Sequence, residues 1–320
     1  MVSPESGQPP DAADAQATAD QAEYTPKHLH PETTDEIFPR HWKSGSLKYT
    51  DFKPLAQGGT GELQTCLDHN LNRVVVYKKL RDHLVDSEME NARFLREARV
   101  TALISHPGTV PVYEIGRDRS GAMYFTMKKL EGQDLAAILK SLAARDRKTK
   151  AEFPHTRLID ILIQVCQTLS FAHSIGVVHR DIKPANILVG PFGEVTVLDW
   201  GLAKVYGEHV DDLENLASVE AAQGKEGVRM ELTPPGRRYG TPLYMSPEQA
   251  EGKADVDERT DVFNMGSVLF EILTHRNLFF GTELDEVLKM ILEDPIPEPR
   301  EVAPREDIPP ALNAICYMAL

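Results

Sequence analysis

Short apolar runs and helical repeats of apolar residues occupy different parts of this chain. Up to about residue 130 the apolar residues come in short, β-type runs, as in residues 74–77, separated by turn residues. These runs predict strands at residues 49–57, 62–68, 73–79, 110–115 and 123–130. Residues 87–105 instead have apolar positions at helical spacing, stopped by a Pro-Gly pair, which predicts one long helix.

Beyond Gly132 the apolar positions follow the period of an α-helix, most clearly as a broad stripe in residues 157–174. Helices are predicted at residues 134–144, 157–174, 260–274, 283–292 and 311–320, and short strands at 187–189 and 195–198. Residues 295–310 contain several prolines and are predicted to be a connection. The whole pattern predicts an α+β fold with a small β-rich lobe, which contains one long helix, and a larger α-helical lobe.

The first 45 residues differ in composition from the rest. They are rich in Ala, Pro, Asp, Glu, Gln and Thr, with hardly any aliphatic side chains beyond Val2, Leu29 and Ile37. Such a segment cannot bury enough apolar surface to offset the entropy that it loses on ordering. We therefore expect residues 1–45 to be a disordered, acidic tail rich in Ala and Pro.

Composition and charge narrow the class of protein. Of the 320 residues, 41% are hydrophobic and 26% are charged, which is typical of a soluble globular protein. The formal net charge of -14 disfavours nucleic acid and anionic lipid as partners, because their phosphates attract surplus Lys and Arg. The chain lacks a long apolar run and a secretory signal pattern. We expect a cytoplasmic protein with no membrane segment within residues 1–320.

The three cysteines, Cys66, Cys166 and Cys316, are far apart in the sequence. They form no CxxC pair and have no nearby His at metal-ligand spacing. We expect ordinary buried thiols in a reducing compartment, rather than a disulfide or zinc ligands.

One short stretch has the composition of a phosphate-handling site. Residues 178–186 read VHRDIKPAN, and residues 198–201 read LDWG. Together they supply the carboxylates of Asp181 and Asp199, the ammonium group of Lys183 and the carboxamide of Asn186. These groups can hold a metal-bound triphosphate beside a hydroxyl nucleophile. Chance is a poor explanation for so specific a set.

In order and spacing, these motifs resemble those of the eukaryotic-like, or Hanks-type, serine/threonine protein kinases. The phrase YGTPLYMSPEQA at residues 239–250 is similar to bacterial members. The resemblance runs from about Tyr49 to the last residue, and it implies a protein kinase domain at residues 46–320. It divides this domain into an N-lobe at about 46–130 and a C-lobe at about 131–320. It also implies ATP-dependent transfer of a phosphoryl group to Ser and Thr hydroxyls of protein substrates.

The resemblance assigns the ATP phosphates to a glycine-rich loop and an ion pair. The loop contains Gly58, Gly59 and Gly61, whose missing Cβ atoms let backbone N–H groups approach phosphate oxygens. Lys78 matches the kinase strand lysine, and Glu97 matches its carboxylate partner on the following helix. Taken alone, the loop could be an ordinary hairpin turn, and the two charged side chains could lie on a solvated surface.

Further residues resemble the family's contacts with adenine and ribose. Met127 matches the residue at the back of the pocket, and Asp134 matches the acid that meets the ribose. Residues 128–130 match the hinge. The other nucleotide contacts implied by the resemblance are Leu63, Val76, Lys128, Leu130 and Leu188. Because Val76 replaces the family's usual alanine, a slightly tighter pocket is expected.

In the catalytic loop, the resemblance implies that Asp181 accepts or orients the proton of the substrate hydroxyl. Lys183 would neutralise charge on the transferring phosphoryl group. Asn186 and Asp199 would hold Mg²⁺, with Mn²⁺ as an alternative, because both offer hard oxygen ligands. Asp261 matches the residue that braces this loop from a buried helix. The pattern DxKPxN is similar to that of Ser/Thr rather than Tyr kinases.

Two alternatives remain open. The HRD and DWG motifs could be buried turns with paired charges, in which case the chain would be a nucleotide-binding pseudokinase or a signalling scaffold. Four features favour this alternative: Ala56 in place of the first loop glycine, Val76, Trp200 in place of the usual Phe, and the missing end of the C-lobe. Against it, every catalytic position is retained. The second alternative, a small-molecule kinase, is disfavoured by the GTPLYMSPEQ sequence.

The resemblance also implies a regulatory segment after the LDWG motif. In related kinases, the arginine before the catalytic Asp, here Arg180, pairs with a phosphorylated residue of this segment. We predict that Thr233, with Ser218 as the alternative, is phosphorylated in trans by a second copy, which requires self-association. Thr241 is expected to shape the substrate groove. A disordered insertion is the other interpretation of this segment.

The chain ends within a predicted helix, residues 311–320, whose Leu312, Ile315, Cys316 and Ala319 are apolar on one side. Related kinase domains continue through another helix. The sequence therefore predicts a truncated C-lobe with an exposed apolar seam and poor solubility. A regulatory segment or a membrane anchor beyond the last residue is compatible with this prediction.

Overall fold

The computed structural model describes residues 45–57, 61–206, 241–253 and 256–320. Outside the described residues lie the predictions for the N-terminal tail and for Gly58, Gly59, Ser218 and Thr233. The predicted division into a β-rich lobe and an α-helical lobe is confirmed, and the elements of each are given below.

Five strands form one antiparallel sheet in the order β1-β2-β3-β5-β4. The strands are β1 Tyr49–Gln57, β2 Gly61–Asp68, β3 Arg73–Leu80, β4 Val112–Arg117 and β5 Met123–Lys128. Each overlaps its predicted position. The register places Val76 opposite Met127 and Lys78 opposite Phe125. The sheet thereby brings residues predicted to contact nucleotide from two strands side by side.

The long helix of this lobe, α1 Glu88–Leu103, packs on one face of the sheet. Its first turn is capped by Ser87, whose Oγ accepts a hydrogen bond from the Glu90 N–H at 3.3 Å. The buried residues of the contact are Phe94, Ala98, Leu80, Met123 and Phe125. This packing sets the rotation of α1 about its axis, so that Glu97 meets Lys78 of β3.

The opposite face of the sheet carries a cluster of tyrosines around one carboxylate. The rings of Tyr77 and Tyr124 stack with centroids 4.5 Å apart. Glu114 accepts hydrogen bonds from the hydroxyls of Tyr49 at 3.1 Å and Tyr124 at 3.0 Å, and it pairs with Lys48. Partial burial alone would raise the pKa of Glu114, but the hydrogen bonds from Lys48 and Tyr124 lower it. Glu114 thus ties the segment before β1 to the sheet edge.

We expect Glu114→Gln to lower the free energy of unfolding by about 1–2 kcal/mol, because the ion pair is lost and an amide is a weaker acceptor. A carboxyl group with a lowered pKa in the folded state stabilises the protein above its ordinary pKa, and this contribution is lost as pH falls through the folded-state value. The difference between wild type and variant should therefore shrink below about pH 4.

Denaturant unfolding at several pH values measures this difference. Glu131→Gln is the matched control, because Glu131 pairs with Lys129 in an exposed position and should contribute little. Equal destabilisation by the two substitutions would contradict a specific role of Glu114.

The second lobe is mainly helical. Its helices are α2 Leu135–Ala143, α3 Arg147–Glu152, α4 His155–Ser174, α5 Pro247–Ala250, α6 Glu258–Thr274, α7 Leu284–Glu293, α8 Pro299–Val302 and α9 Pro310–Ala319. Its short strands are β6 Gln133–Asp134, β7 Val177–Val178, β8 Ile187–Val189, β9 Val195–Val197 and β10 Lys204–Val205. No helix in the described part of the chain has both the length and the apolar character needed to cross a membrane.

The largest hydrophobic core surrounds α6 and α4. Nearly every side chain of α6 between Phe263 and Leu273 is buried, as expected for a helix enclosed on all sides. The apolar stripe predicted for α4 is confirmed: Leu158, Ile161, Leu162, Val165 and Leu169 are buried. The last turn of α4 and the first turn of α6 lie next to the catalytic-loop motif, so the core holds the backbone from which that loop departs.

The expectation of three buried cysteines is wrong at one position. Cys66 and Cys316 are buried, but Cys166 is exposed, and none of the three forms a disulfide. Val165 and Leu169, which flank Cys166 in the sequence, belong to the apolar stripe of α4. The Cys166 side chain therefore lies on another side of the helix.

The apolar face predicted for the last helix is divided in the structure. Cys316 is fully buried where α9 crosses Gly266 of α6, and the backbone oxygen of Gly266 lies 3.5 Å from Cys316 Sγ. A Cβ at Gly266 would lie 3.0 Å from the side chains of Ala319 and Leu320, so this glycine permits the close approach. Ile315 is exposed, as predicted. The predicted seam is therefore wrong for Cys316, because α9 packs on α6.

Candidate active site

The catalytic-loop motif lies between β7 and β8, and one buried carboxylate holds its backbone. Asp261 on α6 is fully buried and accepts hydrogen bonds from the N–H groups of His179 at 2.9 Å and Arg180 at 2.8 Å. His173 Nε2 lies 2.7 Å from the same carboxylate. Arg180 has a φ of 67°, an unfavourable left-handed conformation that these contacts stabilise. Gln249 adds a 2.6 Å hydrogen bond to the Arg180 carbonyl.

Asp181 is the centre of a hydrogen-bond network. Lys183 Nζ lies 2.6 Å from Asp181 Oδ2 and 2.6 Å from Thr241 Oγ1. Thr241 donates to Asp181 Oδ1 from its backbone N–H at 2.8 Å and from its hydroxyl at 3.0 Å. Asn186 Nδ2 donates to the Asp181 carbonyl at 2.8 Å. The carboxylate is therefore held in one orientation, with an ammonium group directly beside it.

The LDWG motif forms a tight turn after β9. Asp199 is exposed and has a φ of 62°, and its Oδ1 accepts a long, 3.4 Å hydrogen bond from the Gly201 N–H. Trp200 is buried, and its ring centroid lies 4.5 Å from that of His179. His179 Nε2 lies 3.0 Å from the Leu198 carbonyl. Trp200 and His179 thus join the two motifs through packing, and Asp199 points away from that packing.

Lys78 and Glu97 form a largely buried ion pair, with side chains 14% and 12% exposed. Burial raises the pKa of Glu97; the charge of Lys78 opposes this rise and that of Asp199 adds to it. Gly201 separates the two carboxylates, since a Cβ there would lie 3.2 Å from Asp199 Oδ1 and 3.6 Å from Glu97 Oε2. The structure therefore places the ion pair next to Asp199. Gly61 of β2 also lies against this lysine, since a Cβ there would be 3.0 Å from Lys78 Cε.

The residues predicted to contact adenine and ribose lie on two sheets, one in each lobe. Asp134 on β6 is opposite Leu188 on β8, and buried Val76 is opposite Met127. Leu63 on β2 is opposite Lys78. Lys128 is the last residue of β5, and Leu130 follows the strand. Asp134 has a second role that the sequence pattern did not reveal: its Oδ1 caps α2, accepting from the Ala137 N–H at 2.7 Å.

Asn186 and Asp199 offer few but suitable atoms for a metal ion. The two hydrogen bonds from the Asn186 amide to Asp181 both use its nitrogen, which leaves the amide oxygen as a ligand atom. Among the described residues, Asp199 forms no ion pair, and no group of three or more His, Cys, Asp or Glu side chains could enclose a metal. This donor set fits Mg²⁺, which keeps several waters and takes its remaining ligands from phosphate.

Two contacts of this site were missed by sequence reasoning. Thr241, expected to shape a substrate groove, donates directly to Asp181, and His173 supports Asp261. Thr241 and Asp181 are 60 residues apart, and His173 and Asp261 are 88 apart. No periodic signal connects residues at such separations. The GTPLY motif that contains Thr241 was the only local signal.

With this geometry established, comparison with known proteins gives a clear family. The profile of the family described as "Protein kinase domain" matches residues 49–315. That match covers most of the chain and includes every residue of the site just described. The chain belongs to the protein kinase family.

The chain is also similar to individual bacterial kinases. It is 38% identical over 277 residues to the serine/threonine-protein kinase PknD of Chlamydia pneumoniae. It is 37% identical over 279 residues to PknD of Chlamydia muridarum. Each alignment covers 85% of this chain but only 29% of the relative, so the chain spans less than a third of the length of these proteins.

Proposed function

We propose that residues 46–320 form a serine/threonine protein kinase domain, which transfers the γ-phosphoryl group of metal-bound ATP to hydroxyls of protein substrates. The observation that carries the proposal is the position of Asp181, held between Lys183 and Thr241. The similarity to two PknD kinases supports the preference for Ser and Thr. We propose a cytoplasmic setting, where ATP is plentiful.

The carboxylate of Asp181 is suited to receive the proton of the attacking hydroxyl. Its oxygens have about four acceptor positions, which contacts from Thr241, Lys183 and Asn186 occupy. A substrate hydroxyl would therefore replace the contact from the Thr241 hydroxyl. As the hydroxyl oxygen bonds to the γ-phosphorus, the bond to the ADP oxygen breaks and the hydroxyl proton passes to Asp181. Lys183 lies close enough to offset the negative charge that collects on the transferring group.

Lys78 would bind the α and β phosphates, and Glu97 would keep the ammonium group in place. Asn186 and Asp199 would hold Mg²⁺, or Mn²⁺ in its stead, and the bound ion would neutralise charge on the phosphates. Leu63, Val76, Met127 and Leu188 would enclose the adenine, with Lys128 and Leu130 at the hinge. Asp134 keeps one carboxylate oxygen for the ribose while the other caps α2.

Phosphate transfer to a generic basic protein tests this function, with phosphoamino-acid analysis of the product. Lys78→Met should lower kcat/KM by roughly 100-fold or more, because the phosphates lose their positioning charge. Lys79→Met is the matched control, since Lys79 is the next residue and pairs instead with Asp82 and Asp118. Wild-type protein that binds ATP and Mg²⁺ but transfers no phosphate would instead support a pseudokinase or scaffold.

The raised pKa of Glu97 has a consequence for nucleotide binding. Protonation of Glu97 removes the charge that holds Lys78, and this should occur at a higher pH than for an exposed Glu of pKa about 4.3. We expect Mg-ATP affinity to fall as pH is lowered toward the raised pKa of Glu97, and Glu97→Gln to bind weakly at every pH. The nucleotide titrates in the same way with both proteins. A pH dependence seen in wild type but not in Glu97→Gln therefore comes from Glu97.

Calorimetric titration at each pH measures this difference. Glu90→Gln on the same helix is the control, because Glu90 pairs with Arg93 rather than Lys78. A Glu97→Gln variant with the same pH dependence as wild type would show that another group titrates.

We further propose that phosphorylation of Thr233, or alternatively Ser218, by a second copy activates the domain. Arg180 is the proposed partner of the phosphate. Its side chain starts beside Asp181, and its Nε donates to the Leu202 carbonyl at 2.6 Å, directly after the LDWG turn. Incubation with Mg-ATP followed by mapping of phosphorylated sites tests this proposal. Modification of neither residue would overturn it.

A further inference from the structure

Four positive side chains are clustered on α3 and the turn before it. Arg145, Arg147, Lys148 and Lys150 are all exposed. None of them lies within ion-pair distance of a carboxylate among the described residues; the pair in this region joins Arg157 to Glu152. The chain as a whole has a net charge of -14. We call these four residues the α3 basic surface.

The backbone under this surface is well anchored. Asp146 caps α3, and its Oδ2 accepts from the N–H and the hydroxyl of Thr149, both at 2.7 Å. Phe153 at the other end is buried in the main core, and Arg157 packs its guanidinium 4.3 Å from the Phe153 ring centroid. The carboxylate of Asp146 is thus occupied by capping. The anchored backbone fixes where the four side chains begin, so the backbone loses little entropy on binding.

One histidine and one carboxylate from other elements lie near this surface. Burial lowers the pKa of His275, after α6; His155, Lys150 and Arg145 lower it further, while Glu306 opposes them. Arg145 and Lys150 therefore lie within electrostatic reach of His275, and its lowered pKa favours the neutral imidazole. The four exposed cations have like charge, so a bound anion would be attracted by all of them.

The surface lies far from the catalytic loop. It directly precedes α4, which begins at His155 and ends at Ser174, next to the strand that leads into that loop. A helix of 20 residues is about 30 Å long. The α3 basic surface therefore lies at the end of α4 away from the catalytic loop, up to about 30 Å from Asp181, and a ligand bound there leaves the active site open.

We propose that the α3 basic surface docks an acidic segment of a protein substrate, rich in Asp and Glu, at a distance from the residue that is phosphorylated. This inference rests on the proposed kinase function. A short acidic peptide suits the surface better than nucleic acid or anionic membrane. Nucleic acids and anionic membranes are extended polyanions, so the net charge of -14 would repel them over a large area. A short peptide meets only the charges within about 8 Å of it, because charges farther away are screened at physiological salt.

The position of the surface sets the length of linker that a substrate needs. A flexible Gly/Ser linker has a root-mean-square length of about 5–6 Å times the square root of its residue number, so about 30 residues match a span of 30 Å. A linker of 5 residues reaches at most about 18 Å. Docking raises the local concentration of the acceptor only when the linker can span the two sites.

The test compares three substrate peptides with the same Ser acceptor: one without a tract, one with a tract of eight glutamates after a 30-residue linker, and one with the same tract after 5 residues. We expect the long-linker tract to lower KM about 10-fold with kcat unchanged. The short-linker tract should lower it much less, because only its distal glutamates can reach the surface. An equal gain from the short linker would place the docking site near the catalytic loop and overturn the proposal.

Two triple variants identify the surface. Arg147→Gln, Lys148→Gln and Lys150→Gln together should abolish the gain from the long-linker tract. Arg119→Gln, Lys253→Gln and Lys289→Gln remove three exposed cations elsewhere and should preserve it. Both sets change the net charge from -14 to -17, so an equal loss in both would mean that overall charge, and not this surface, is responsible.

A binding measurement separates this proposal from the kinase function. Fluorescence anisotropy of a labelled octaglutamate peptide, without ATP, should show binding to wild type and to the control triple variant but not to the α3 triple variant. If this binding pattern were found but no peptide were phosphorylated, the docking surface would be supported and the kinase function rejected. Equal binding by all three proteins, or tighter α3-dependent binding of a single-stranded RNA oligomer or a phosphatidylserine vesicle, would overturn the proposal.

Discussion

Asp181→Asn is expected to lower kcat for peptide phosphorylation by about 100- to 10,000-fold, the range typical for loss of a general base. Affinity for Mg-ATP should change much less, because Lys78, Asn186 and Asp199 remain. The substitution also disturbs the local network. Asp181 Oδ1 accepts two hydrogen bonds from Thr241, and Oδ2 lies beside Lys183. In either orientation, the amide nitrogen of Asn would face a hydrogen-bond donor of Thr241 or Lys183.

Steady-state kinetics and calorimetric ATP titration separate the two effects. Asp160→Asn is a suitable control, since Asp160 is an exposed residue of α4. If Asp181→Asn retained wild-type kcat, the proton would be accepted by another group and the proposed role of Asp181 would be wrong. Thr241→Val, which removes the hydroxyl but keeps the backbone donor, should reduce kcat less than Asp181→Asn, because the 2.8 Å backbone contact remains.

Asp261→Asn is expected to have the largest effect on stability. Asp261 is fully buried and accepts from the N–H groups of His179 and Arg180, and the amide nitrogen of Asn would place a donor against a donor. A buried donor left without a partner costs about 1–3 kcal/mol, so we expect the free energy of unfolding to fall by about 2–5 kcal/mol. The midpoint of thermal unfolding should fall by roughly 5–15 °C.

Scanning calorimetry measures the stability change, and hydrogen exchange of the His179 and Arg180 amides shows whether it is local. Both amides should exchange faster in Asp261→Asn, because their acceptor is weakened. His173→Gln is the informative second variant. It alters one contact to Asp261 but leaves both backbone bonds, so its effect should be smaller. Unchanged exchange at Arg180 would contradict the bracing role of Asp261.

Much of the fold followed from local pattern. The strands β1 to β5 and the helices α1, α4 and α6 were predicted because runs of apolar residues repeat with period 2 or 3.6 over many residues. The helices α3, α5 and α8 were not, because each has only 4 or 6 residues and too few turns to show a repeat. Cys166 was placed wrongly since burial depends on which side of α4 faces the core.

The catalytic-loop chemistry was also evident locally. Asp181, Lys183 and Asn186 lie within six residues of one another, and a short motif can specify such a set. Kinase resemblance then related Lys78, Glu97 and Asp199 to the same site. In the structure, Gly201 lies between the carboxylates of Glu97 and Asp199.

Sequence alone thus established the kinase family, the two lobes and the identity of the chemical groups, because these depend on residue type and short spacing. The tertiary structure decided how those groups are held. Thr241 reaches Asp181 across 60 residues, and Asp261 reaches Arg180 across 81. Such contacts exist only after α4 and α6 have packed into one core, since nothing in the local chain determines which distant donor meets which acceptor. The same packing placed the α3 basic surface at the end of α4 away from the catalytic loop.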